Sequence, residues 1–299
     1  MAARYFAVLD GRGLVAVSGP DARPFLQGLI SQDVDLVGAQ RAAYGALLTA
    51  QGRFLHDFLI VELDGALVLD CEAARAQDLM RRLARYKLRS KVELASVGER
   101  HQVAAMWGEG TAAALGLPSA AGAATAFAGG LAFADPRLAA LGARAILPAG
   151  GAAAALTAAG FAPADFAAYD AHRLALAVPD GSRDMQPEKS LLLESNLDAL
   201  NAISWDKGCY VGQELTARTR YRKLVKRRLT PVEIDGPTPA PGTPVVSGGN
   251  EIGTVHSAVD GRGLAVIRLA ALEIADGAPD GFTAGQAHLR PLDPPWMRD

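Results

Sequence analysis

The chain has 299 residues, of which 50% are hydrophobic and 21% charged, with a formal net charge of −2. That length suggests two or three lobes sharing a core, while the near-neutral balance excludes a nucleic-acid coat or an anionic-membrane binder built on bulk charge, so any anion site must be a local concentration of Lys and Arg. Cys71 and Cys209 are too few for a disulfide framework or a complete thiolate cage, and without a basic-then-apolar start or an apolar run of about 18 residues the expected setting is soluble, reducing and cytoplasmic.

Residues 13–17 read as a short apolar strand, followed by a turn and a helix start capped by Asp21. Phe25, Leu26, Leu29 and Ile30 recur at helical spacing and extend that helix over 21–31. Strands are expected at 44–49, 54–63 and 67–70, the last two joined by an Asp64-Gly65 turn. Residues 72–89 form an amphipathic helix with Leu79, Leu83 and Tyr86 on one stripe. A strand at 103–106 opens an Ala- and Gly-rich region with helices at 111–115 and 151–159 and strands at 131–134 and 143–147. A further helix spans 165–176. After Lys226 short β-rich pieces at 229–234, 244–247, 253–258 and 264–269 alternate with Gly-containing turns, the spacing of a small antiparallel barrel.

The chemistry concentrates in residues 205–218, Trp-Asp-Lys-Gly-Cys-Tyr-Val-Gly-Gln-Glu-Leu-Thr-Ala-Arg. Gly208 and Gly212 permit tight turns on either side of Cys209. Lys207 beside the thiol makes an electropositive corner that favours thiolate chemistry. A buried cysteine acting as a small hydrophobe is the plain alternative, and composition alone leaves both standing. Arg218, Arg220 and Arg222 alternate with Ala217, Thr219 and Tyr221. On an extended strand this aligns three guanidinium groups on one face, with Lys226 and Arg228 continuing the row. Such forks suit carboxylates and phosphates; a solvated sheet edge guarded by cations is the competing reading.

Lys-Gly-Cys-Tyr-Val-Gly-Gln-Glu at 207–214, followed by Ala-Arg-Thr-Arg-Tyr-Arg at 217–222, resembles the signature of the YgfZ-type proteins and their mitochondrial iron–sulfur assembly relatives. These belong to the aminomethyltransferase-like superfamily of the glycine-cleavage T-protein. Residues 17–28, 31–33, 173–179 and 194–198 resemble further motifs, so the likeness covers most of the chain. The resemblance implies an α+β, aminomethyltransferase-like fold: a three-lobed ring around a central channel for tetrahydrofolate, with a C-terminal antiparallel β-barrel. The corresponding lobes are residues 1–45 plus 135–225, carrying the cysteine motif, then 46–134, then 226–299.

The same resemblance implies a tetrahydrofolate-binding factor in iron–sulfur protein assembly or repair, indirectly supporting tRNA thiomodification. Its partners would be reduced folate and iron–sulfur carrier or client proteins, with no direct nucleic-acid partner and no membrane. Carried onto this chain, Cys209 is the functional thiol, with Lys207 beside it and transient contact with an iron–sulfur cluster. Tyr169 is the aromatic of the folate channel. Arg173, Glu194, Asn196, Tyr210, Gln213, Glu214, Arg218, Arg220 and Arg222 complete the folate-facing set, and the family's second aromatic contact falls near Arg12.

The T-protein carries two aspartates in a Gly-Gly-x-Ile-Asp-Asp strand. Residues 51–61 place His56 and Asp57 there, and Ala175 stands where that enzyme has a pterin-holding Glu. Losing both carboxylates argues against aminomethyl transfer, which, with other one-carbon transfer, is the alternative function. His56 reads either as a channel group titrating near neutrality or, in preference, as a structural imidazole. His101, His172, His256 and His288 have no metal-ligand spacing with either cysteine, so no resident metal is expected.

Overall fold

Apolar alternation builds three sheets in this computed structural model, which describes residues 3–275 and 281–298. The chain divides into two units. The first holds the chain up to Leu48, Leu55–Tyr169 and Leu200–Val211; the second holds Thr49–Phe54, Asp170–Ala199 and the chain from Gly212 onward.

In the first unit a five-stranded sheet runs in the order Ala43–Leu48, Phe54–Leu63, Ala66–Glu72, Arg12–Ser18, Glu93–Ser96. Asp64 and Gly65, with φ of 52° and 75°, make the tight hairpin between its second and third strands. Helices Ala22–Gln27 and Ala76–Lys87 cover one face, where Phe25, Leu26, Leu79 and Leu83 join Val15, Val17 and Leu69 in one core. A six-stranded sheet follows the order Ala162–Pro163, Arg4–Val8, His101–Gly108, Ala143–Pro148, Gly130–Ala134, Ala124–Phe127. Its core is Phe6, Met106, Leu147 and Phe161, closed by Leu156 of helix Ala152–Ala158. The opposite faces of the two sheets meet through charged groups: Arg144 of one donates to Asp70 of the other at 2.9 Å.

In the second unit six strands close into a barrel, ordered Arg227–Asp235, Arg262–Arg268, Asn250–Val259, Pro244–Ser247, Phe282–Ala284, Ala287–Pro291. Closure leaves no sheet edge. Val232, Val245, Val255, Ile267, Phe282 and Leu289 fill the interior. Three ties, two of them buried, fasten residues 170–199 to this barrel. Asp184 accepts from the Ser257 amide at 3.0 Å, Asn196 Nδ2 donates to the Leu229 carbonyl at 2.7 Å, and Trp296 Nε1 donates to the Leu176 carbonyl at 2.9 Å.

Several expectations are corrected. The first helix is only Ala22–Gln27, and Asp21 does not cap it; its carboxylate accepts from the Lys91 amide at 2.7 Å instead. Tyr86 leaves the buried stripe of its helix and is 42% exposed, because it lies at the helix end, beyond the sheet that covers Leu79 and Leu83. The largest change is at 218–222. These residues lie in helix Gln213–Tyr221 and its C-cap, Arg222, rather than on a strand. At about 100° per residue, Arg218 and Arg222 share a side while Arg220 points elsewhere, so no row of three guanidinium groups forms. The strands Arg4–Val8, Glu93–Ser96 and Ala124–Phe127 and the hairpin from Phe282 to Pro291 were not expected.

Candidate functional site

Cys209 is a free, exposed thiol on the loop between Asn201 and Gly212. The loop is short of secondary structure, so its position depends on individual bonds to residues 28–32. Ser31 Oγ donates to the Ala202 carbonyl at 2.6 Å, and the Ser204 amide returns to the Ser31 carbonyl at 2.9 Å. Gln32 Nε2 reaches the Asn201 carbonyl at 2.6 Å, and the Val211 amide reaches the Gly28 carbonyl at 3.2 Å. Lys207 makes the central fastening. Its Nζ donates to the carbonyls of Ile30 at 2.9 Å and Gln32 at 2.7 Å and sits 5.4 Å from the centre of the Tyr210 ring. Partial burial lowers its pKa to about 8, against the pull of Asp33 and Asp35.

Lys207 therefore serves the loop through main-chain acceptors. Tyr210 is buried beneath it. Gly212 needs to be glycine, since its φ of 83° starts the following helix in the left-handed region. Gly208 has open space where a Cβ would stand, and nothing local requires glycine there. Cys71 is the chemical opposite of Cys209: buried within a sheet, it donates to the Gly13 carbonyl at 3.5 Å, and burial pushes its thiol up to about 12.

The facing layer between the two sheets of this unit holds a network that sequence reasoning missed. Asp70, fully buried, takes Arg12 Nε at 2.6 Å and Arg144 Nη1 at 2.9 Å. Arg137 grips Asp135 with two parallel bonds of 2.9 and 2.7 Å, a charge-assisted fork. Burial would raise the Asp135 carboxyl, but Arg137 and Arg144 outweigh it and hold it below the usual carboxylate range. Tyr169, placed by helix Phe166–Ala175, accepts from Arg144 at 3.1 Å and Arg137 at 3.3 Å, with Trp107 tilted against its ring. Tyr44 donates to Asp57 at 2.8 Å under the Arg137 guanidinium, and its hydroxyl is pushed well up by burial and then by Asp57. A visible signal was an ion set within an apolar run, as in Val68-Leu69-Asp70-Cys71 and Ala143-Arg144-Ala145, since an unpaired buried charge is prohibitive.

Tyr44 is also the buried floor of a cleft of ≈ 340 Å³, with Gln32, Asn201 and Pro136 on its walls and Arg41 among its lining residues. Gln32 thus lines the cleft and receives Lys207 with its carbonyl. Asn201, at the start of the cysteine loop, is a wall of the same cleft.

The sequence-expected residues are divided between the two units. Tyr169, Lys207, Cys209 and Tyr210 belong to the first unit; Arg173, Glu194, Asn196 and residues 213–222 belong to the second. Arg173 is buried in an ion cluster, bonded to Asp170 at 2.6 Å, Asp184 at 2.7 Å and the Val178 carbonyl at 3.0 Å. Asn196 is the buried tie to Leu229 described above. Glu194 accepts from Arg227 at 3.1 Å. Glu214 and Arg218 pair on the exposed face of their helix, whose first residue is Gln213. Arg220 and Arg222 are exposed. Near Arg12 the expected aromatic is replaced by the ion pair with Asp70.

His56 and Asp57 are neighbours on one strand and so face opposite sides of the sheet. His56 turns to helix Ala76–Lys87, where its Nε2 lies 3.0 Å from Asp78, and burial lowers its pKa to about 4. The structural imidazole is the arrangement present. Among the described residues no three His, Cys, Asp or Glu side chains group as a metal site, and no helix is long and apolar enough to cross a membrane.

The fold defines an aminomethyltransferase-like protein with a C-terminal barrel. Residues 9–123 match the GCVT N-terminal domain family, and residues 226–299 match the CAF17, C-terminal beta-barrel domain family. The solved structure of glycine cleavage system aminomethyltransferase T from Bartonella henselae superposes with a TM-score of 0.74 at 18% identity, covering 90% of this chain and 79% of that one. The mitochondrial iron–sulfur cluster assembly factor IBA57 of Homo sapiens is 35% identical over 281 residues, covering 87% of this chain and 76% of its own length. The IBA57 homolog of Neurospora crassa is 34% identical over 236 residues, 75% of this chain and 52% of its own. This chain belongs to the IBA57 family of iron–sulfur cluster assembly factors. The cytoplasmic setting expected from the sequence is overturned by these relatives, which are mitochondrial proteins. Two unpaired cysteines do not distinguish one reducing compartment from another.

Proposed function

We propose that this chain acts in the assembly or repair of iron–sulfur proteins, with Cys209 as the thiol that meets the partner. The observation that carries this reading is the exposure of that thiol on a loop fastened by Lys207, Gln32 and Ser31, beside the family relationship itself. A structural cysteine would resemble Cys71. The test is Cys209→Ala in cells lacking the wild-type protein. Iron–sulfur enzyme activity, including that of enzymes that thiolate tRNA, is expected to fall while the unfolding midpoint of the purified variant stays unchanged. Undiminished activity overturns the role of the thiol.

The same reading includes a reduced folate as the small-molecule ligand. The aminomethyltransferase-like fold supports it, and so does the chemistry of the cleft over Tyr44. Its size lies in the range of ligand pockets, about 300–1,000 Å³. An aromatic floor suits a planar heterocycle, and Arg41 suits a carboxylate. Tetrahydrofolate titrated into the purified protein is expected to bind, and Arg41→Glu to weaken binding without loss of fold. No heat of binding to the wild type removes folate from the reading. The site does not favour aminomethyl transfer: His56 is turned to Asp78, and Asp57 is engaged by the Tyr44 hydroxyl.

A further inference from the structure

We propose that residues 218–228 form a docking surface for an acidic face of another protein, a proposal that rests on the assembly role above and names the kind of partner it requires. Seven of these eleven residues are Arg or Lys and none is acidic, in a chain whose net charge is −2. Only Thr216 and Thr219 of helix Gln213–Tyr221 are buried, so the helix end and the turn after it stand in solvent. Tyr221 is 89% exposed and Leu224 47% exposed.

Among the cations, Arg218 is answered by Glu214 and Arg227 by Glu194. The side chains of Arg222, Lys223 and Lys226 have no ion-pair or hydrogen-bond partner among the described residues. Like charges crowded on one short segment repel one another in the free protein, and an opposing set of carboxylates relieves that repulsion. A segment kept only for solubility would need no ring and no aliphatic side chain at its centre. Tyr and Arg are the residue types that dominate binding energy at protein interfaces, where a desolvated aromatic anchor is bounded by complementary charge. Tyr221 and Leu224 lie three residues apart and ask for an apolar pocket rimmed by Asp and Glu. Phosphate would answer the cations but leave Leu224 uncovered, so an acidic protein face fits better than nucleic acid. An assembly factor has to meet other proteins, and this helix begins four residues after Cys209 in the chain.

The test uses the full chain in cells. Tyr221→p-benzoylphenylalanine provides a photo-crosslinker, and Arg222→Glu/Lys223→Glu/Lys226→Glu reverses the unpaired charges. The expected crosslink joins residue 221 to an iron–sulfur protein through a segment rich in Asp and Glu, and disappears when the triple reversal is added. The triple variant is also expected to lower iron–sulfur enzyme activity with an unchanged unfolding midpoint. A crosslink to RNA, a crosslink to a segment without acidic residues, no crosslink, or full activity of the triple variant each overturns the docking surface. So does an equal loss from Arg85→Glu/Lys87→Glu/Arg89→Glu, a matched reversal elsewhere, which would reduce the effect to net charge. Normal enzyme activity in Cys209→Ala sinks the assembly reading; impaired activity there with none in the triple variant sinks the docking surface alone.

Discussion

The layer between the two sheets of the first unit and the segment after helix Gln213–Tyr221 are both rich in arginine, yet only one is neutralised. Between the sheets, Arg12, Arg137 and Arg144 are matched by Asp57, Asp70 and Asp135, and every one of these guanidinium groups has a carboxylate or phenol oxygen within bonding distance. In residues 218–228 Arg222, Lys223 and Lys226 face solvent unanswered. Inside, an unmatched charge would cost more than the fold can supply, so the carboxylates must be in the same chain. At the surface, water tolerates the excess, and the carboxylates are free to belong to another molecule. The location of the missing partner is what separates a structural arginine from one kept for recognition.

Asp70→Ala is the hardest test of that contrast. It leaves Arg12 and Arg144 in a dry layer with their carboxylate removed, and is expected to cost ~3–5 kcal/mol in urea unfolding. A cost below about 1 kcal/mol would mean that water or other groups replace the partner readily, and the contrast would fail. The triple charge reversal at 222, 223 and 226 should by comparison change stability by no more than ~0.5 kcal/mol per site.

Lys207 lies between these extremes, half-buried and bonded to carbonyls, and Lys207→Met is expected to cost about 1–2 kcal/mol and to speed alkylation of Cys209. Its pKa in the folded chain is about 8, below the 10.5 of an ordinary lysine. Between those values the unfolded chain holds more protons, so the stability contributed here rises with pH across that window. Unfolding measured from pH 7.5 to 10.5 should therefore show the wild type gaining on Lys207→Met; parallel curves would place the ammonium in solvent.

The elements most legible in the sequence are those whose burial follows one period. Strand Phe54–Leu63 and its Asp64-Gly65 hairpin, the Leu79 and Leu83 stripe, and strand Pro244–Ser247 all stand where alternation and turn residues put them. Helix Gln213–Tyr221 was misread because Arg-Thr-Arg-Tyr-Arg imitates a period of two. Its buried positions, Thr216 and Thr219, are hydroxyl residues that carry no hydrophobic signal. Tyr169 and Cys209 could be singled out from the motif. Tyr44 and Arg137 could not: Arg137 lies in a bend and pairs with Asp135 two residues back, a spacing that does not by itself announce burial. The apolar run around Arg144 signals a buried charge, but nothing local tells that its carboxylate is supplied by the distant Asp70. The fastening of Lys207 was hidden for a different reason: its acceptors are backbone atoms, which every sequence contains.

That last point bears on how the cysteine loop can change over evolutionary time. Because Lys207 is received by the main-chain oxygens of residues 30 and 32, its anchorage does not depend on which side chains those positions carry. Replacement there leaves the two oxygens in place. Insertion or deletion between residues 28 and 32 displaces them by about 3.8 Å per residue and sets the lysine adrift. The loop is thus indifferent to composition at its mooring and intolerant of altered chain length, so drift in letters and drift in spacing have opposite consequences for the thiol it carries.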